Sequence, residues 1–168
     1  TPIRIQTYQT ANSEIKQNNP STNFSSATYL ESRDEPVAND DYMSFMKFAL
    51  NPIPTGAEVT SAKLNLYVYF LGVNNSNAGV TSNVHLASSN WSESTLTWNN
   101  KPSAGDLIGT MNMTSIGWKT LDITSTLNDW RNGTINNYGL RFFPTSAQAD
   151  RNSAWYSSRS VTNKPYIE

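Results

Sequence analysis

The sequence contains no cysteine, which excludes disulfides, thiol chemistry and cysteine-ligated metal together. Its one histidine, His85, leaves no two- or three-histidine metal site. Charge is scarce: 15% of residues are charged, 12 cations stand against 13 anions, and the net charge is -1. A protein that neutralises phosphates carries a basic excess, so nucleic acid is not an expected partner. No apolar run approaches the ~20 residues that span a bilayer, so membrane insertion is not expected. Thr1 opens no signal peptide, and the chain reads as a mature or excised domain. Catalytic signatures are missing as well: there is no Gly-x-Ser-x-Gly elbow and no Gly-rich phosphate loop. A glycosidase needs two facing acids, and nothing in the sequence pairs Glu14, Glu31, Glu58 or Glu93 across a cleft.

What is present is Asn, Ser and Thr in abundance, with period-2 alternation. The 168 residues suit a single domain, 1–168, with a core large enough to need no staple. In Tyr42 to Leu50, Met46, Phe48 and Leu50 share one face, and Phe45, Lys47 and Ala49 the other. In Ala62 to Phe70, Leu64, Leu66, Val68 and Phe70 alternate with Lys63, Asn65, Tyr67 and Tyr69. Val84 to Ala87 turns His85 outward. Further strands are expected at Ile3 to Tyr8, Ala27 to Glu31, Leu107 to Met111, Trp118 to Ile123, Tyr138 to Phe143, Ala154 to Ser158 and Pro165 to Ile167. Thr10 to Asn23 reads as a polar connection and Asn74 to Ser82 as a hairpin loop. One short helix fits Thr124 to Trp130, with Thr124 as its N-cap and Gly133 past its end. About ten short strands with turn signals every 8–12 residues predict an all-β, two-sheet antiparallel β-sandwich of jelly-roll type. Five Asn-x-Ser/Thr sequons, at Asn23, Asn74, Asn90, Asn112 and Asn132, are what so Asn-, Ser- and Thr-rich a chain produces by chance.

The most informative stretch runs from Asn90 to Phe142 and carries four of the five tryptophans between short strands and Asn/Gly turns. Together with Ser44-Phe-Met-Lys-Phe48, Pro54-Thr-Gly-Ala-Glu-Val-Thr-Ser-Ala-Lys-Leu-Asn-Leu-Tyr67, Trp91-Ser-Glu, Thr97-Trp-Asn-Asn-Lys-Pro102, Leu121-Asp-Ile-Thr124 and Gly139-Leu-Arg-Phe142, it resembles the DNRLRE family. That family is also called the disaggregatase-related domain, and some members are classed as alginate-binding carbohydrate-binding modules. The likeness covers nearly the whole chain, closing with Ser157-Ser-Arg159 and Lys164-Pro-Tyr-Ile167; Arg33-Asp-Glu-Pro is a remnant of the tract that names the family. The resemblance implies a jelly roll of an extracellular or cell-surface protein, joined to other domains of the same parent, that binds an acidic, uronate-containing polysaccharide.

Strand parity offers an independent test. With Met46, Phe48, Leu64, Leu66, Leu140 and Phe142 inward, Lys47, Lys63, Arg141 and Arg159 turn outward, and Tyr67 and Tyr69 share the side of Lys63. His85 and Tyr29 can join this face, and Trp155 borders it. Guanidinium groups pair bidentately with carboxylates and aromatic rings pack on sugar faces, so one basic and aromatic face would suit a uronate polymer. The plainer reading is a solvated sheet face protected by charge. Trp91, Trp98, Trp118 and Trp130 are expected mostly as partly buried anchors whose indole N–H finds a carbonyl. Asp40 and Asp41, in an oxygen-rich loop with Asp34 and Glu35, are candidate ligands for a structural Ca²⁺, although solvated turn chemistry is the favoured explanation. Two other functions fit: an adhesive or structural spacer, and a small lyase using His85 or a Tyr as base beside a cation that neutralises the uronate.

Overall fold

The computed structural model describes residues 2–36, 39–72, 79–145, 153–158 and 161–168. Among them run ten strands: β1 (Thr7–Lys16), β2 (Tyr29–Arg33), β3 (Tyr42–Phe48), β4 (Lys63–Leu71), β5 (Val80–Ala87), β6 (Ala104–Met113), β7 (Gly117–Asp122), β8 (Leu140–Pro144), β9 (Ser153–Ser157) and β10 (Tyr166–Ile167). One helix, α1 (Thr124–Asn132), follows β7. All pairings are antiparallel. One sheet runs β1-β3-β8-β5-β6. The other runs β2-β9-β4-β7, with β10 beside β9 along the same edge of β4. The sheets are hydrogen-bonded at two corners, where β1 pairs with β10 and Arg33 pairs with Tyr42. This is the all-β antiparallel sandwich that the alternation predicts.

Leu64, Leu66 and Val68 of β4 and Leu30 and Tyr156 of β2 and β9 meet Met46, Phe48, Val84, Leu140 and Phe142 of the facing sheet, nearly all completely buried. Each such side chain contributes about 1.5–3 kcal/mol. A second cluster lies outside the first sheet, where Ile15, Met43 and Phe45 sit beneath Ala87, Trp91 and Leu96. The segment 88–103 therefore crosses the outer face of β1 and β3. It is tied down by Trp91 Nε1, which donates to the Tyr138 carbonyl at 2.7 Å, and by Asn23 Nδ2, which donates to the carbonyls of Glu93 and Leu96 at 2.8 Å. Gly139, at φ 85°, brings β8 against β3 so closely that a Cβ there would lie 2.2 Å from the Met46 carbonyl oxygen.

Three expectations shift. The first strand is Thr7–Lys16, not Ile3 to Tyr8, and it occupies much of the presumed polar connection. Its inward residues toward the chain's Lys16 end are Glu14 and Lys16, paired at 3.1 Å, so no hydrophobic alternation marks it. The helix runs to Asn132 and starts without a Thr124 N-cap: Ile123 holds the cap position, while the Thr124 hydroxyl accepts from the Ala62 N–H and donates to Asp122. Gly133 does close the helix, at φ 77°. The Asn74 to Ser82 loop lies mostly outside the described residues; its end, from Val80, belongs to β5.

Candidate functional site

The outer face of the β4 sheet is lined with aromatic rings. Tyr67 and Tyr69 alternate outward from Leu66 and Val68, and a register shift between Val68 and Phe70 turns Phe70 outward as well. Tyr67 lies opposite Trp118 of β7, and Tyr8 of β1 opposite Tyr166 of β10. The result is an unbroken row, Tyr29, Tyr69, Tyr67, Trp118, Tyr166, Tyr8, with successive centroids 4.9, 5.7, 5.3, 5.4 and 6.1 Å apart. Phe70 and Trp155 add a pair at 5.9 Å. The contacts are tilted or edge-on, the favoured geometry for ring quadrupoles, so the rings brace one another. They nevertheless stay in water: Tyr8 is 49% exposed, Trp118 45% and Tyr69 40%.

At the Tyr8 end the row opens into a groove of about 840 Å³, walled by Tyr8, Trp118, Tyr166, Asn12, Ser25 and Lys164. That volume falls in the range of small-ligand sites. Lys164 is exposed at its rim, and Lys63, also exposed, stands at the other end of β4 across from Asp122. Asp122 is held below the usual carboxylate range by the Thr124 backbone N–H and hydroxyl. The Tyr29 phenol is pushed up by desolvation and by Tyr69, so it remains a neutral donor.

The single basic and aromatic face is not what the chain builds. Lys63, Tyr67, Tyr69 and Trp155 lie on the β4 sheet, with Tyr29 joining them. Lys47, His85 and Arg141 lie on the outer side of the β3–β8–β5 sheet, across the core. Parity distinguishes inward from outward on each strand but says nothing about which sheet the strand joins. Arg159 falls outside the described residues.

Lys47 is also not a free cation. Its Nζ donates to Asn90 Oδ1 at 2.7 Å and to the Trp91 carbonyl, and lies 4.6 Å over the Trp91 ring, so it pins the covering segment. Burial lowers its pKa. His85 Nδ1 sits 2.9 Å from the Gly105 carbonyl oxygen; since that oxygen only accepts, Nδ1 is the donor. Arg141 is half-buried, and its Nη2 points at Met43 Sδ.

Of the tryptophans, Trp91 is a buried anchor with its indole N–H on a carbonyl as expected, Trp130 is buried but its indole N–H finds no partner, Trp98 is half-buried under Lys101, and Trp118 is exposed. Asp40 and Asp41 are engaged by the chain's own donors: Asp40 accepts from Arg33 and Asn18 at 3.0 and 2.7 Å, and Asp41 from the Glu35 N–H at 3.1 Å. Among the described residues no group of three or more His, Cys, Asp or Glu is arranged to hold a metal ion. The site residues that parity missed are Tyr8, Trp118 and Tyr166. Tyr8 and Tyr166 come from opposite ends of the chain, and only the long-range β1–β10 pairing brings them together.

No helix among the described residues is long and apolar enough to cross a membrane. No curated protein matches the chain. The braced rings end in a polar-rimmed groove, and over residues 4–168 the sequence matches carbohydrate-binding module family 96, the family to which this chain belongs.

Proposed function

We propose that the domain is a non-catalytic module that binds an acidic, uronate-containing polysaccharide along the aromatic face of the β4 sheet, as part of an extracellular or cell-surface protein with other domains. The observation that carries this reading is the ring row from Tyr29 to Tyr8, continuous across five strands, with Tyr8, Tyr69 and Trp118 exposed and Tyr29, Tyr67 and Tyr166 half-buried. Pyranose rings present apolar C–H faces that pack on aromatic rings, and an open row accepts a long polymer without requiring a chain end. Two observations favour an acidic chain: Lys63 and Lys164 stand exposed on this face, and the sequence resembles a family with alginate-binding members. Membership of a carbohydrate-binding module family supports binding rather than cleavage as its role.

The test is affinity electrophoresis and calorimetry with an acidic polysaccharide and a neutral one, at low and high salt. We expect retardation by the acidic polymer, weakening with salt as exposed ion pairs are screened. Trp118→Ala should lower affinity roughly thirtyfold, about 2 kcal/mol, with little change in folding stability because the indole is already half in water. Retention of neither polymer would favour the spacer reading, and equal retention of both would remove the uronate preference.

A further inference from the structure

The opposite face carries cations that the aromatic site does not use. On β3, β8 and β5 the outward residues Phe45, Arg141 and His85 stand side by side in register. Lys101, on the segment that crosses this sheet, lies 3.9 Å over the Trp98 ring with its Nζ donating to the Trp98 carbonyl at 3.0 Å, and it feels the charge of Arg141. Neither Arg141 nor Lys101 has an ion-pair partner among the described residues, where the salt bridges belong to Arg4, Lys16 and Arg33. The acceptor recorded for the Arg141 guanidinium is Met43 Sδ at 3.2 Å, a weak one, and its Nε is buried without a partner.

Two like charges close enough to repel and partly desolvated, one of them a guanidinium whose acceptor among the described residues is a sulfur, are unfavourable by themselves and are relieved by a shared anion. A carboxylate can accept from a guanidinium fork and an ammonium at once. Trp98, Tyr138 and Phe143, packed at the edge of the same cluster, supply the half-exposed aromatic surface for the ring that bears it.

We infer that Arg141 and Lys101 form a second subsite, specific for a carboxylate-bearing sugar, on the face opposite the aromatic row. The inference rests on the uronate reading above and extends it: a module with a ligand site on each face bridges two polymer chains. Lys47, committed to Asn90 and Trp91, is not part of it.

Amide-resolved NMR titration with a tetra-uronate, and with the same oligomer reduced at its carboxyl groups, tests this. The tetra-uronate should shift signals on β5 and β8 as well as on β4 and β7, whereas the reduced oligomer should shift only β4 and β7. Lys101→Gln and Arg141→Gln should each weaken the β5–β8 response about tenfold or more while leaving the β4–β7 response unchanged. Lys101 lies on a surface segment, so its variant keeps the test valid if Arg141→Gln folds poorly. Shifts confined to β4 and β7, unaffected by both variants, would overturn the second subsite and leave the aromatic site standing. Shifts confined to β5 and β8 would uphold the subsite and refute the aromatic-face reading. Shifts on neither face would remove both.

Discussion

Glu31 should make this protein less stable at alkaline than at acid pH, and Glu31→Gln should remove the effect. Its carboxyl, on β2 opposite Trp155 of β9, is almost wholly buried, and burial pushes its pKa from 4.5 up to about 7, with Glu14 adding to the rise. Arg33 opposes the shift, but its Nε lies 3.7 Å away, too far for a hydrogen bond, and the same guanidinium also serves Asp40 at 3.0 Å and Glu35 at 3.7 Å. Between pH 4.5 and 7 the folded state therefore keeps a proton that the unfolded state releases, and stability falls as pH rises through that window. Above it the penalty is complete, at about 3 kcal/mol as an upper value from 1.36 kcal/mol per pKa unit. Glu14, also raised by burial, acts in the same direction. Glutamine has the same shape and no charge to desolvate. Urea unfolding followed by tryptophan fluorescence should show Glu31→Gln close to the parent at pH 4.5 and more stable at pH 8 by about 1–3 kcal/mol, a melting-temperature gain of roughly 3–10 °C. If the variant is less stable by the same amount at every pH, Glu31 is ionised in the fold, its pair with Arg33 is worth more than its burial costs, and the reasoning fails.

Lys47→Ala should destabilise the fold by about 1–3 kcal/mol, read from the urea midpoint, because it orphans the Trp91 carbonyl and Asn90 and removes a cation from the Trp91 ring; affinity for polysaccharide at the aromatic face should not change. Incubation with uronate polymers should release no unsaturated product absorbing in the ultraviolet, and steady product formation lost in His85→Ala would make the protein a lyase.

How much of this was legible in the sequence depends on what each strand buries. β3 and β4 declare themselves because Met46, Phe48, Leu64, Leu66 and Val68 bury apolar side chains on alternate positions. β1 does not, since Glu14 and Lys16 face inward and neutralise each other, with Lys16 4.6 Å from the Phe24 ring and 4.8 Å from that of Tyr42. Chain composition cannot distinguish such a strand from a loop. The outward orientation of Tyr67 and Tyr69 followed from parity, while the partners that make them a row depend on contacts between the two ends of the chain. Lys47 shows the converse limit: it does point outward, and the segment that covers it comes from more than 40 positions later, where no local pattern reports it. Three of the sequons turn out to be turns: Asn23, Asn112 and Asn132 each accept from the backbone N–H and the hydroxyl two residues on.

The contrast between the two outer faces separates a binding module from a spacer. On the β1–β3 side, the chain covers apolar surface with the 88–103 segment and seals Phe45 completely beneath Trp91 and Leu96. On the β4 side the same chain leaves Tyr8, Tyr69, Phe70 and Trp118 each 40–49% exposed, although burying them would add stability to a fold that has no disulfide to support it. A spacer gains nothing from such a surface and takes on the risk of aggregation that comes with it. Contiguous exposed apolar patches on soluble domains mark places where something else completes the burial. Here the rings are spaced and braced in a line rather than gathered in a disc, which fits an extended, ring-bearing polymer better than a globular protein partner.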